Sequence, residues 1–117
     1  MKIIDHNLKL LEMNQAGLEM IEADSIDQVI GKDIGDVVLP AYRDAFNQLT
    51  QRTLEGASGT LVFEIQGLKG RRRWLDTHTV PLRDPDGNIS GALAVTRDVT
   101  QQKEDEEAIH RLAFYDP

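Results

Sequence analysis

Residues 70–100 have the sequence GRRRWLDTHTVPLRDPDGNISGALAVTRDVT, which predicts two long antiparallel strands joined by a tight turn. The turn is expected at residues 85–88, because proline presets φ there and Gly87 takes a positive φ without steric cost. Directly after the second strand, Asp98, Val99 and Thr100 lead into a polar helical pattern. The stretch therefore predicts a sheet whose last strand is followed directly by a helix that extends away from the domain.

A third strand is predicted just upstream, because residues 58–66 alternate with a period of two. Five residues of the three strands are candidates to line a small-molecule pocket on the inner face: Phe63, Ile65, Thr77, Thr79 and Thr96. Threonines that interrupt an apolar wall could orient a ligand. The alternative is that these threonines bond to one another across adjacent strands.

The first half of the chain predicts short elements followed by one long helix. Residues 2–13 favour a tight hairpin, after which Asn14 is a candidate N-cap. Ser25 and Gln28 fit a capping box at the start of a short helix. Pro40 sits where a first helical residue should, and a helical pattern runs from it until Gly56. Helices over one side of an antiparallel sheet make an α+β fold.

Composition excludes several classes of function. The chain has 117 residues, no cysteine and a net charge of −7, so one domain is expected and neither nucleic acid nor an anionic membrane is an expected partner. No apolar run is long enough to span a membrane, and the start is not a signal peptide. The plain expectation is a soluble, cytoplasmic domain.

The outer face of the sheet carries an apolar patch that should be covered. Covering elements could be a second copy of the chain, an upstream helix or the exit helix, and self-association as a homodimer is the favoured prediction. The residues predicted for this face are Trp74, Val80, Leu82, Leu93 and Val95, beside Val62.

Several short stretches resemble one family. They are residues 14–16, residues 30–34, Trp74, residues 81–87 and the tripeptide 98–100. In this order they resemble a PAS domain with its C-terminal PAC portion. The resemblance implies a five-stranded antiparallel sheet of order 2-1-5-4-3 that encloses a pocket under its helices. It also implies that Asp98 and Thr100 couple the last strand to the output helix, in addition to any role as helix caps.

The segment 110–117, HRLAFYDP, is similar to the entry into a GGDEF domain, the diguanylate cyclase module. The resemblances together divide the chain into a sensor domain at 1–99, a signalling helix at 100–112 and the beginning of a GGDEF domain at 113–117. We expect a piece of a larger protein, in which a PAS sensory and dimerisation module responds to a small molecule or partner and regulates a downstream diguanylate cyclase in cyclic di-GMP signalling. The alternative is a ligand-free interaction module with a packed core.

Neither catalysis nor a particular cofactor is predicted within these residues. His6, His78 and His110 lack the spacing of a metal pair, and no nucleophile or phosphate-binding loop is present. An enzyme is therefore not expected within these residues, although the full-length protein is expected to be a diguanylate cyclase. Haem-binding members of the family carry a histidine on the long helix, which has none here, so haem is not the expected cofactor. Flavin members that form a covalent adduct need a cysteine, so that adduct is excluded, and the ligand itself remains unknown.

Overall fold

The sheet and its strand order agree with the sequence prediction. The computed structural model describes the backbone of residues 1–114 and the side chains of residues 1–108. Five antiparallel strands form one sheet in the order β2-β1-β5-β4-β3. Their bounds are β1 (Lys2–Ile4), β2 (Leu10–Met13), β3 (Gly59–Gln66), β4 (Arg72–Arg83) and β5 (Ile89–Asp98).

Between β2 and β3 the chain forms the elements that cover the inner face of the sheet. These are α1 (Gln15–Met20), two single turns of 3-10 helix at Ile26–Gln28 and Ile34–Val37, and the long helix α2 (Pro40–Leu54). After β5 the chain continues into α3 (Thr100–Phe114). The predicted division between residues 112 and 113 falls inside α3, and residues 115–117 lie outside the described part of the chain.

The ends of the short elements follow local side-chain chemistry, with one correction. The Asn14 side chain accepts a hydrogen bond from the Gly17 N–H at 3.0 Å, as predicted for an N-cap. The capping box at Ser25 is wrong, because Ser25 makes no capping bond and Gln28 instead accepts from the Asp24 N–H at 2.8 Å. Gln28 therefore bonds to the backbone one residue before Ser25, and only a single turn of 3-10 helix forms.

The long hairpin of β4 and β5 forms where residues 70–100 predicted it. Its register runs from Leu75 opposite Asp98 to Arg83 opposite Ile89, with an irregularity near the turn. In the turn, the Asp84 carboxylate accepts backbone N–H groups at 2.9 and 3.0 Å, and Gly87 has φ +86°. The carboxylate and the glycine therefore act as the turn chemistry requires.

The core lies between the inner sheet face and the helices. Alternate residues of the strands are buried there, including Phe63, Ile65 and Leu75, and the rings of Phe46 on α2 and Phe63 are 5.3 Å apart. Burial of each such large apolar side chain contributes about 1.5–3 kcal/mol. This packing holds α2 across β3, β4 and β5 and so sets the walls of the interior.

Candidate functional site

The structure brings the five predicted pocket residues together on the inner face of β3, β4 and β5. Phe63, Ile65, Thr77 and Thr79 are buried, and Thr96 is half-buried beside them. They therefore form one continuous wall under the helices. Their burial alone does not show a pocket, because neighbouring side chains can fill the same space.

The threonine hydroxyls of this wall are bonded to other threonines. Thr77 Oγ1 and Thr96 Oγ1 are 2.8 Å apart across the β4–β5 pair, which matches the cross-strand alternative stated above. Thr79 Oγ1 is 2.7 Å from Thr53 Oγ1, and the Thr53 hydroxyl also lies 3.0 Å from the Leu49 carbonyl on α2. The second pair fastens α2 to the middle of the sheet.

A small cavity remains between the N-terminal strand, α1 and the sheet. Its volume is about 20 Å³, and its lining includes Met13, Met20, Leu75 and Thr96. A single water needs about 10–15 Å³ by this measure, so the cavity holds one water or a small chemical group as it stands. Of the five predicted pocket residues, only Thr96 lines it.

Lys2 is the interior residue that sequence reasoning missed. It lines the cavity, is only 7% exposed, and places its ammonium 4.8 Å from the centroid of the Phe46 ring. Burial lowers the pKa of Lys2 from 10.5 to about 8. Within the described side chains, no hydrogen bond or ion pair reaches its ammonium. The alternation of side chains in β1 could have identified Lys2 as an interior residue, because it shares a face with Ile4, which is a core residue.

The tripeptide that ends β5 is bound to the backbone of Trp74 on β4. The Val99 N–H donates to the Trp74 carbonyl at 2.8 Å, and the Trp74 N–H donates to the Thr100 hydroxyl at 2.9 Å. That hydroxyl donates to the Asp98 carboxylate at 2.5 Å, which also accepts the Thr100 N–H at 2.9 Å. Asp98 and Thr100 therefore fix the direction in which the chain leaves the sheet.

One detail of this junction differs from the prediction. The first backbone bond of α3 runs from the Lys103 N–H to the Val99 carbonyl at 2.9 Å, so Val99 rather than Thr100 occupies the capping position. The N-cap role predicted for Thr100 is wrong because its hydroxyl accepts from β4. Asp98 does accept the N–H of the first helical residue, as a capping carboxylate can.

Arg73 connects the junction with α1. Its Nη1 donates to the Glu19 carbonyl at 3.0 Å, and its Nε lies 3.9 Å from Asp98 Oδ2. The second distance is within ion-pair range but too long for a hydrogen bond, and Nε is buried without a hydrogen-bond partner among the described residues. Since α1 also lines the cavity, Arg73 lies between the cavity wall and the start of α3.

Comparison with protein families decides the identity of this fold. The family model described as the PAS fold matches residues 1–104. The chain belongs to the PAS fold family. No curated protein sequence is significantly similar to this PAS domain.

Solved structures support the assignment of the fold. The PAS domain of a protein from Colwellia psychrerythraea has a TM-score of 0.75 and 19% identity, and the match covers 86% of this chain and 85% of that one. The VqmA–ligand–DNA complex of Vibrio cholerae has a TM-score of 0.71 and 23% identity, with coverages of 83% and 44%. An RNA-binding light-oxygen-voltage receptor has a TM-score of 0.77 and 19% identity, with coverages of 96% and 32%. This PAS domain thus spans less than half of the latter two chains.

The outer face of the PAS sheet is covered only in part. Near the junction, the Trp74 ring meets the Tyr42 ring edge-on at 5.7 Å, and the Lys103 ammonium of α3 lies 5.4 Å from its centroid. Farther along the same face, Val80 is 42% exposed and Val95 is 58% exposed. Leu82 and Leu93 are half-buried there. The exit helix therefore covers the Trp74 end of the predicted patch and leaves the valines in contact with solvent.

The described residues contain neither a candidate metal cluster nor a candidate membrane span. No group of three or more histidine and carboxylate side chains in that part of the PAS domain could hold a metal ion. Within the same residues, no helix is long and apolar enough to cross a bilayer. The side chains of residues 110–117, on which the resemblance to a GGDEF domain rests, lie outside what the structure describes.

Proposed function

We propose that this chain is a cytoplasmic sensory and dimerisation module that regulates a diguanylate cyclase following it in the same protein. The PAS fold itself is a generic sensing and signalling module. The observation that carries the proposal is the attachment of Asp98, Val99 and Thr100 to the backbone of Trp74, because it makes the direction of α3 depend on the sheet. The sequence of residues 110–117 supports a diguanylate cyclase as the regulated domain.

The proposed mechanism is a two-state change at the start of α3. A small molecule or partner that displaces α1 would move the Glu19 carbonyl and, through it, Arg73. A movement of about 1 Å would bring Arg73 Nε into hydrogen-bond range of Asp98, at the expense of the present arrangement. Because the Asp98 carboxylate also holds Thr100, this movement would shift the balance between two directions of α3.

The test is the rate of cyclic di-GMP synthesis from GTP by the full-length protein. Asp98→Ala removes the acceptor of both Thr100 bonds and is expected to change the rate several-fold. Asp86→Ala is the matched control, because Asp86 is an exposed turn residue remote from α3. A full-length protein without cyclase activity, or equal rates in both variants, would refute the proposal.

Self-association through the outer face is part of the same proposal. Val80 and Val95 lie on adjacent strands and remain exposed, and burial of such a patch favours pairing with a second copy. Val95→Asp should therefore give a monomer in light scattering after size exclusion. Leu68→Asp is the control, since Leu68 is 51% exposed but lies in the β3–β4 turn. A monomeric wild-type chain would contradict this part.

A second candidate function is a ligand-free interaction module. It is favoured by the small size of the cavity, about 20 Å³, and by the threonine pairs that fill the interior. In this case the chain would hold subunits together without sensing a small molecule. Native mass spectrometry of the chain purified from cells separates the two candidates, because retained small-molecule mass supports sensing. Absence of any retained small-molecule mass supports the interaction module.

A further inference from the structure

The interior contains a cation, Lys2, that has no counter-ion among the described side chains. Lys2 is more than nine-tenths buried, and the face of the Phe46 ring is the favourable partner that its ammonium has among the described side chains. A cation–π contact contributes about 0.5–1 kcal/mol at an exposed site and about 2 kcal/mol when desolvated, and the low exposure of Lys2 leaves little room for water to solvate its ammonium. An anionic group beside Lys2 would therefore supply an interaction that none of the side chains of residues 1–108 provides.

The cavity next to Lys2 has a lining that can adapt. The chain has three methionines, at positions 1, 13 and 20, and all three line the cavity. Methionine side chains have three rotatable bonds and fill irregular spaces readily. Movement of Met13 and Met20 would enlarge the cavity without displacing backbone, and would leave an apolar wall around the entering molecule.

A hydroxyl donor is also available at the cavity. Thr77 and Thr96 share one hydrogen bond between their two hydroxyls, so one hydroxyl proton of the pair remains uncommitted. When Thr77 donates to Thr96, the Thr96 proton can point to a group in the cavity. The Lys2 ammonium and one hydroxyl beside a largely apolar wall suit a singly charged acceptor group with a short aliphatic tail.

We propose that this cavity binds a small aliphatic monocarboxylate, with the carboxylate against Lys2 and Thr96 and the tail among Met13, Met20 and Leu75. The inference rests on the proposed sensory function and names the chemical class of its ligand. A doubly charged phosphate would fit poorly, because the Met1 amino group, the second cation beside the cavity, already donates to the Asn14 side chain at 3.0 Å and most of the remaining wall is apolar. A tail of about two to four carbons matches a cavity that expands only by methionine movement.

The experiment uses the 117-residue chain with 13C-labelled methionine methyl groups, whose three signals all report on the cavity. Sodium butyrate is titrated into the millimolar range, with butyramide as the uncharged molecule of similar shape. Butyrate should shift the signals of Met13 and Met20 saturably, and butyramide should not. Lys2→Leu should weaken butyrate binding by at least about tenfold, whereas Lys32→Leu, at an exposed lysine, should leave it unchanged.

Each outcome decides the proposal. Binding of butyrate that depends on Lys2 supports it, while equal shifts with butyramide, or an unchanged affinity in Lys2→Leu, overturn it. Absence of shifts with acetate, propionate and butyrate also overturns it. That result would leave the sensory function standing, because the cyclase rate of Asp98→Ala tests it independently.

Discussion

Replacement of Lys2 with leucine is expected to raise the free energy of unfolding at pH 7 and to change its pH dependence. Burial lowers the pKa of Lys2 from 10.5 to about 8. The difference of 10.5 − 8 = 2.5 pH units corresponds to about 3 kcal/mol, since each unit is worth about 1.36 kcal/mol. Leucine also loses the contact with the Phe46 ring, which offsets about 1–2 kcal/mol. The expected net gain at pH 7 is thus about 1–2 kcal/mol.

The sign of the pH dependence follows from proton binding in the two states. Between pH 8 and 10.5 the unfolded chain keeps a proton on Lys2 that the folded chain has lost, so the free energy of unfolding rises with pH in this window. Below pH 8 both states are protonated and the full penalty is present. The other ionisable group recorded beside Lys2 is the Met1 amino group, whose pKa is lowered by burial and by the Lys2 charge.

The measurement is urea unfolding followed by the fluorescence of Trp74, the single tryptophan, at pH 7 and at pH 10. Wild type should gain stability between the two values more than Lys2→Leu does. Lys32→Leu is the control and should retain the wild-type dependence. An identical dependence in wild type and Lys2→Leu would show that the Lys2 ammonium is solvated, and would refute the reasoning.

Two further substitutions test how the interior is held together. Thr53→Val leaves the Thr79 hydroxyl buried without its partner and should cost about 1–3 kcal/mol in urea unfolding; Thr60→Val, on the exposed face of β3, should cost less than about 0.5 kcal/mol, and equal losses would contradict the assignment. Gly91→Ala places a Cβ atom 2.7 Å from the Ile4 carbonyl oxygen, so the β1–β5 pairing must shift and the melting temperature should fall; a wild-type melting curve would show that the two strands are not so close.

Much of the fold could be predicted from local patterns. Period-two alternation identified β3, β4 and β5, while Pro40 and Gly56 marked the region of α2 within two residues of its ends. The strand order 2-1-5-4-3 was implied by the resemblance to PAS domains rather than by the alternation, and the structure confirms it. The capping box at Ser25 failed because a motif of four residues does not show which neighbouring N–H its glutamine will meet.

The candidate site was predictable as a set of faces but not as a set of contacts. Alternation placed Thr77, Thr79 and Thr96 on the inner face, but could not show that Thr79 bonds to Thr53 on α2. In the same way, Thr100 was expected to cap its own helix, and the structure shows its hydroxyl bonded to β4 instead. Each of these bonds joins residues 26 positions apart, a separation that local periodicity does not address.

By itself, the sequence determined which residues form the long strands, where the long hairpin turns and which side chains of a strand share a face, because these properties depend on neighbouring residues along the chain. Only the tertiary structure decided that Lys2 is buried beside Phe46, and that the junction at residues 98–100 is fastened to Trp74. The reason is physical: a burial cost or a cross-strand hydrogen bond depends on which distant groups the fold brings together in space.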